Sequence, residues 1–373
     1  MDSPRRSAAA VALLPDDAIV EILSRVPARS LCRFKCVSRV WRDLLAEPLR
    51  RKKLPQTLEG FFYAYDGDDE VHCGNRDDGG GEGGRIVHGR FINTLGRSVP
   101  LASFSFLGEQ PGIEELGLLH SCNGLVLFGH RRAGDTYDSL GFIVCNPATE
   151  QWVAVPNSGW NPNLFHPWDD SSCRFTYLIF DPAVSSHFQL VQFWTYADRF
   201  LEGVHTYSSE TGIWSERTSE WGSDWALSFF ARSAFVHGML PLSTTLLKCR
   251  IISGPWKPND RVFVGQSQGH LHYMSEYRDD TRQMTELSIW HSVPFLQLFG
   301  RTSCHVEDDD YNVVAIHPDH NMIFFVQHWD LKLKSYDMDS KEVRTLRTLG
   351  VGRQNILPYV PYFSESSVLA SKH

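Results

Sequence analysis

Gly265-Gln-Ser267-Gln-Gly269 has the Gly-x-Ser-x-Gly spacing of a nucleophile elbow, in which a sharp strand-to-helix turn exposes a serine hydroxyl for attack on an acyl carbon. A suitable strand, Arg261-Val-Phe-Val264, comes before it. The elbow needs a helix next, whereas His270-Leu-His-Tyr-Met alternates as a strand does, so the spacing predicts a hairpin turn. His317, His320 and His328 with Asp319 offer four nitrogen or oxygen donors of the kind that complete a zinc tetrahedron. No helical pattern brings two of these histidines together, and surface histidine is the simpler reading. Gly79-Gly-Gly81-Glu-Gly-Gly84 spells a phosphate-cradling Gly-x-Gly-x-x-Gly without a preceding strand or a following amphipathic helix. Asp66, Asp68 and Glu70 are spaced like the start of a calcium loop, but Val71 stands where its sharp turn requires Gly. The expectation is therefore no catalytic residue, no metal and no cofactor.

The strongest local pattern lies elsewhere, in residues 13–48, which read as three short helices. Ile19, Ile22, Leu23 and Val26 recur at i, i+3, i+4 and i+7, one face of a helix that Pro27 stops. Pro15 suits the first turn, where no backbone donor is needed, and Asp16 and Asp17 lie at the positive end of the helix dipole. Leu31 and Phe34 carry a second apolar stripe; Val37, Val40, Trp41, Leu44 and Leu45 carry a third, which ends at Pro48. Helices of about ten residues are marginal alone in water, and a module of about 40 residues seldom buries enough surface to fold unaided. The surplus apolar surface implies a protein partner.

Leu14-Pro15, Ile22-Leu23, Val26-Pro27, Leu31, Val37 and Trp41, in this order and spacing, resemble an F-box. In that family the motif docks on the Skp adaptor of a Skp, cullin and F-box ubiquitin ligase, and through it on cullin and RING subunits. The resemblance thus implies adaptor contacts by Leu14, Pro15, Ile19, Ile22, Leu23 and Val26 on the first segment and by Pro27, Leu31, Phe34, Val37, Trp41 and Leu44 beyond it. The F-box is placed at 13–52, after a disordered lead-in at 1–12 that is too short, and too soon stopped by Pro15 and two Asp, to be a signal peptide.

Composition agrees with a globular protein beyond this module. The chain has 373 residues, 42% of them hydrophobic and 12% aromatic, which excludes a mainly disordered chain. A net charge of -8 gives no basic face for nucleic acid. Arg50, Arg51, Lys52 and Lys53 form one basic cluster, read as a helix-end complement to the dipole or as a nuclear address. Eight Cys without a C-x-x-C fit a reducing compartment, and no apolar run is long enough to span a membrane, so the chain is expected in the cytoplasm and/or nucleus.

Residues 55–373 read as a β domain interrupted at 66–85 by a flexible acidic, Gly-rich loop. Strand, polar turn and strand recur in 141–155, 204–214 and 331–343, with Trp152, Trp214 and Val343 aligned 62 and 129 residues apart. Cys122-Asn-Gly-Leu-Val-Leu, Val236-His-Gly-Met-Leu and Gln268-Gly-His-Leu-His-Tyr place Gly before a strand, and Asp181–Val191 and His317–Val326 look like further related hairpins. Such repeats predict a β-propeller of about six blades, with a β-sandwich as the alternative. SCNGLVLF with FIVCNPATEQWVAVP, and the closing YVPYFSES, resemble the F-box-associated, Kelch-like domain of plant F-box proteins, although the paired glycines of Kelch repeats are missing. The fold class is thus mainly β with a small N-terminal α module.

The two resemblances imply a non-catalytic substrate receptor that delivers a target protein for ubiquitination. The alternative is an F-box lectin whose Trp160, Trp168, Trp221 and Trp225 stack on sugar rings. The hairpin reading of residues 265–269 is open to direct test. Ser267→Ala should leave ester hydrolysis by the purified chain at background, and a chelator should leave its Tm unchanged. Serine-dependent turnover, or a chelator-dependent fall in Tm, overturns it.

Overall fold

The computed structural model describes residues 15–23, 26, 58–65, 90–94, 104–108, 110, 113, 115–131, 141–159, 172–182, 184–196, 200–217, 262–267, 270–278, 284–288, 292–294, 311–318, 320–349 and 354–369. The chain divides into two compact units, Met1–Thr57 with Pro182–Ser185, and Leu58–Asp181 with Ser186–His373. In the first, α1 (Asp16–Leu23) starts directly after Pro15, as the capping pattern predicts. The other two expected helices, the lead-in 1–12 and the acidic loop 66–85 lie outside the described residues.

The second unit is built of β1 (Gly60–Tyr65), β2 (Arg90–Asn93), a helical turn α2 (Ser105–Gly108), β3 (Glu115–Cys122), β4 (Leu125–Arg131), β5 (Gly141–Asn146), β6 (Gln151–Val155), β7 (Ser172–Ile179), β8 (Gln189–Tyr196), β9 (Phe200–Ser208) and β10 (Ile213–Arg217). It continues through β11 (Val262–Ser267), β12 (His270–Arg278), β13 (Met284–Ser288), β14 (Ser292–Pro294), β15 (Tyr311–Ile316), β16 (Met322–Gln327), β17 (Lys332–Asp337), β18 (Glu342–Thr348) and β19 (Gln354–Tyr359). The described strands form five sheets, β3-β4-β5-β6, β7 to β10, β11 to β14 and β15 to β18 in sequence order, and β19-β1-β2.

Local chemistry explains the hairpins. Between β5 and β6, β9 and β10, and β17 and β18 the pairs Asn146↔Gln151, Ser208↔Ile213 and Asp337↔Glu342 each enclose four turn residues. The side chain that opens each turn accepts from the backbone two residues on: Asn146 Oδ1 from Ala148 N at 3.0 Å, Ser208 Oγ from Glu210 N at 3.3 Å, and Asp337 Oδ1 from Asp339 N at 2.9 Å. The last turn residue has positive φ in all three, Glu150 (59°), Gly212 (71°) and Lys341 (60°). The alignment of Trp152, Trp214 and Val343 holds in space, since they face Cys145, Tyr207 and Tyr336 at one register position.

Apolar residues on the two faces of each sheet pack against different neighbours. Met274 of β12 joins Ile316, Phe325 and Tyr336 of the β15 sheet; Val326 and Leu333 of that sheet join Phe61 and Ile356 of the β19-β1-β2 sheet. Phe62 and Leu357 pack with Leu118 and Phe128 of the β3 sheet, whose other face packs Leu127 and Val144 on Leu178 and Leu190 of the β7 sheet. The first strand of each sheet approaches its neighbours' first strands, β11 beside β15, β15 beside β19, β19 beside β3 and β3 beside β7. Sheets that fan about their innermost strands form a β-propeller, not the two layers of a sandwich. Residues 218–261, on which the expected blade count also depends, lie outside the described residues.

The ring is closed by the two ends of the domain. β19 pairs with β1 from Gly60↔Tyr359 to Tyr65↔Gln354, so the innermost strand of this sheet comes from the C-terminal end and its outer strands from the N-terminal end. Beyond it, Val360–Leu369 forms a strap over the turns of the β3 sheet. Asn146 Nδ2 donates to Tyr362 O at 2.7 Å, Ser366 N donates to Gln151 Oε1 at 2.9 Å, and Leu369 is fully buried in the core between the β3 and β7 sheets. Gly124, at φ 89°, lies under Tyr362, where a Cβ would come within 2.2 Å of the tyrosine Cβ. Ending the chain at Gly352 removes β19 and the strap, and the expected outcome is loss of soluble protein. A monomeric truncation with the parent's Tm overturns closure by this segment.

Candidate functional site

The helix α1 is the first of two features that bear on function. Pro15 O accepts from Ala18 N at 3.0 Å and Ile19 N at 3.1 Å, with Asp16 and Asp17 in the first turn beside the exposed donors. Ile19, Val20 and Leu23 are buried, whereas Ile22 is 54% exposed, an apolar side chain left to solvent on an otherwise committed helix. Val26, half-buried, donates from its backbone to Leu23 O at 3.1 Å just past the helix end. Pro15 is exposed; Leu14, Pro27, Leu31, Phe34, Val37, Trp41 and Leu44 lie outside the described residues. Trp160, Trp168, Trp221 and Trp225 do too.

The chemically suggestive sets resolve into fold. Ser267 pairs with His270 across the β11-β12 hairpin, so residues 265–269 run strand to strand. A Cβ on Gly265 would sit 2.9 Å from Ile316 Cδ1, which gives this glycine a packing reason between neighbouring inner strands. The His317 and His320 rings lie 4.5 Å apart, tilted by 50°, in the β15-β16 turn, while His328 Nε2 is 3.2 Å from Asn312 Nδ2. Asp319 lies outside the described residues, and among those described no three His, Cys, Asp or Glu are placed to hold a metal ion.

The second feature is a polar relay between innermost strands. Asn355 Nδ2 of β19 donates to Leu118 O at 2.6 Å, and Ser121 Oγ of β3 donates back to Pro358 O at 2.6 Å. On the next seam Leu178 N donates to His120 Nδ1 at 3.3 Å, and Asn123 Nδ2 donates to Phe180 O at 2.6 Å. The sequence reading placed Gly124 of Cys122-Asn-Gly before a strand and missed that the side chains of Ser121, Cys122 and Asn123 hold both neighbours. Their polarity at the end of an apolar strand is the signal that was available.

The buried titratable groups here are held neutral. Burial pulls His120 down to about 4, and pushes the Cys122 thiol and the Tyr177 hydroxyl up to about 12. Cys145 and Tyr359 are raised by burial as well. His317 is lowered to about 4 by burial and by neighbouring His320. Two protonated thiols and a neutral imidazole committed to a backbone donor fit a structural seam better than a nucleophile with its base.

Comparison with known proteins matches residues 12–53 to the F-box domain and residues 87–355 to the family described as F-box protein At3g26010-like, beta-propeller. Among relatives from Arabidopsis thaliana, the F-box protein At5g07610 is 23% identical over 292 residues, 69% of this chain and 63% of the relative. The putative F-box protein At3g16210 is 26% identical over 221 residues, 57% and 49% of the two chains. The putative F-box/kelch-repeat protein At4g22430 is 26% identical over 203 residues, 52% and 42%. The chain thus spans less than two thirds of the length of each of these relatives.

The neutral histidines give the fold a pH dependence whose sign is fixed. Their folded pKa values of about 4 lie below the unfolded value of 6.5, so the unfolded chain binds the extra protons as pH falls. The histidine contribution should be flat above pH 6.5 and decline from there to pH 4, by about 1.4 kcal/mol per pH unit for each histidine at most. His120→Gln keeps an acceptor for Leu178 N and removes one of the two protons. Its Tm should therefore fall less steeply with pH across this window than the parent's, and identical slopes overturn the assignment.

Proposed function

We propose, from the premise that the chain belongs to the At3g26010-like family of F-box proteins with a β-propeller, that it is the substrate-receptor subunit of a Skp, cullin and F-box ubiquitin ligase. The observation that carries this reading is the pairing of an F-box at residues 12–53 with a β-propeller at residues 87–355 in one chain. The exposed Ile22 on α1 supplies apolar surface for a Skp-type adaptor, which in turn brings cullin and RING subunits. The propeller presents a separate surface to a target protein.

The mechanism is proximity. The chain performs no bond-making step; it holds the target's lysines near a charged ubiquitin-conjugating enzyme, so that transfer proceeds as if within one molecule. A propeller whose two ends share one sheet suits this task, because a receptor that flexes spreads the bound lysines over more volume and lowers their effective concentration. Proteasomal degradation of the target follows, in the cytoplasm and/or nucleus, with Arg50, Arg51, Lys52 and Lys53 as the basic cluster available for nuclear import.

Ile22→Asp places a charge on an exposed position, so the helix should persist while co-purification of a Skp-type adaptor falls at least tenfold. A chain lacking residues 1–52 should still capture its target and, when overexpressed, lengthen the target's half-life by competing with the intact receptor. Undiminished adaptor capture by Ile22→Asp, or an unchanged target half-life at saturating fragment, overturns the reading.

A further inference from the structure

The outer strands on either side of the closing seam carry three exposed arginines on facing surfaces. β18, the last strand of the β15-β16-β17-β18 sheet, exposes Arg344 and Arg347. Arg344 is paired opposite Ser335 and Arg347 opposite Leu333, alternate residues of β17, so both arginines lie on the face to which Leu333 belongs. A register shift between Leu333 and Lys334 leaves Leu346 as the extra residue, which keeps Arg347 on that face although it is three positions from Arg344. Leu333 and Leu346 pack in the core shared with the β19-β1-β2 sheet.

The opposite wall is β2, the outer strand of that sheet among the described residues. Its Ile92 is buried in the same core, and exposed Arg90, two residues earlier, shares Ile92's face. Arg90, Arg344 and Arg347 therefore stand exposed on the two sheet faces that meet in this core, on a chain whose net charge is -8. The acidic groups on the same side are named with them: Glu342, bonded to Arg344 at 2.8 Å, and Asp337, bound by its own turn. The Arg344–Glu342 pair is largely exposed, and such pairs contribute little in water, so an incoming carboxylate can displace Glu342.

We propose that a groove between these faces docks an extended acidic peptide segment of the target, laid along β18, with carboxylates on the arginines and an intervening apolar side chain on half-buried Leu346. The spacing supports this partner. Paired positions two residues apart on a strand are separated by about 6.8 Å, the repeat of alternate side chains in an extended peptide. Guanidinium groups suit carboxylates because they bind them in a two-pronged fashion. β18 has no further strand on its outer side among the described residues, so its edge suits addition of a strand. This assignment rests on the receptor reading and names the class of segment such a receptor would capture.

The test uses the full chain with three fluorescent peptides of alternating sequence, Asp-Val, Ser-Val and Lys-Val, measured by anisotropy. The Asp-Val peptide should bind, and weaken as salt rises from about 0.05 M to about 0.5 M; the other two should not bind. Arg344→Glu with Arg347→Glu should reduce its affinity at least tenfold while Tm and adaptor capture stay at parental values. If the Asp-Val peptide fails to bind, or binds the double variant as well as the parent, the arginines only guard an edge strand and the proposal fails. If it binds only after deletion of residues 66–85, the chain's own acidic segment occupies the groove and an external partner is ruled out. Adaptor capture is read separately, so loss of the receptor reading is distinguishable from loss of this one.

Discussion

The β domain depends on the pairing of β1 with β19, which joins the two ends of its sequence across six residue pairs. Bringing such distant segments together costs chain entropy, although that cost grows only slowly with loop length. The return comes from adjacent aromatics on β1. Phe61 points to one neighbouring sheet, with its ring 4.9 Å from Phe324, and Phe62 points to the other side, into the core with Leu118 and Phe128 of the β3 sheet, its ring 4.5 Å from Phe104 and 4.7 Å from Tyr359. Both are fully buried, each worth roughly 1.5–3 kcal/mol relative to exposure. Strand alternation lets one segment fasten both seams, so the sheets on either side acquire their cores only when the ring is shut.

Closure alone would leave a second problem at the innermost strands, whose backbones have no further strand to pair with on the inner side. Buried backbone groups need partners. Here side chains provide several of them: Asn355 and Ser121 across the seam between β19 and β3, and His120 and Asn123 across the seam between β3 and β7. His120 can accept from Leu178 only while its Nδ1 is unprotonated, which is the state burial enforces. The histidine's chemistry is thus spent on the fold. The strap then seals the same end, with Asn146 both closing its own turn and holding Tyr362.

Features of short range were legible in the sequence and features of long range were not. Pro15 with two Asp marked the start of α1 because the groups that cap a helix are its immediate neighbours. The turns after Asn146, Ser208 and Asp337 were readable for the same reason, and their recurrence pointed to repeated blades. Residues 265–269 read correctly as a hairpin because alternation in 270–274 outweighed the motif. The partners of Tyr362, Leu369 and Ser121 lie more than 200 positions away or on another sheet, and no local pattern encodes them. The bulge at Leu346 that puts Arg344 and Arg347 on one face has no local sequence signal either.

The distribution of polar groups separates what keeps the ring intact from what is left free to recognise. Near the innermost strands the hydrogen-bonding side chains are engaged by neighbouring backbone, so a substitution there disturbs two sheets at once. Toward the outer strands Leu333 of β17, Leu346 and Ile92 pack in the shared core, while Arg90, Arg344 and Arg347 are exposed to solvent. Exchanging an exposed arginine alters charge without opening a cavity, and so changes stability little. A scaffold of this kind can change the chemistry it presents while its closure stays fixed. On the proposed reading that is the property a receptor requires, since loops and exposed side chains can change on a scaffold that does not.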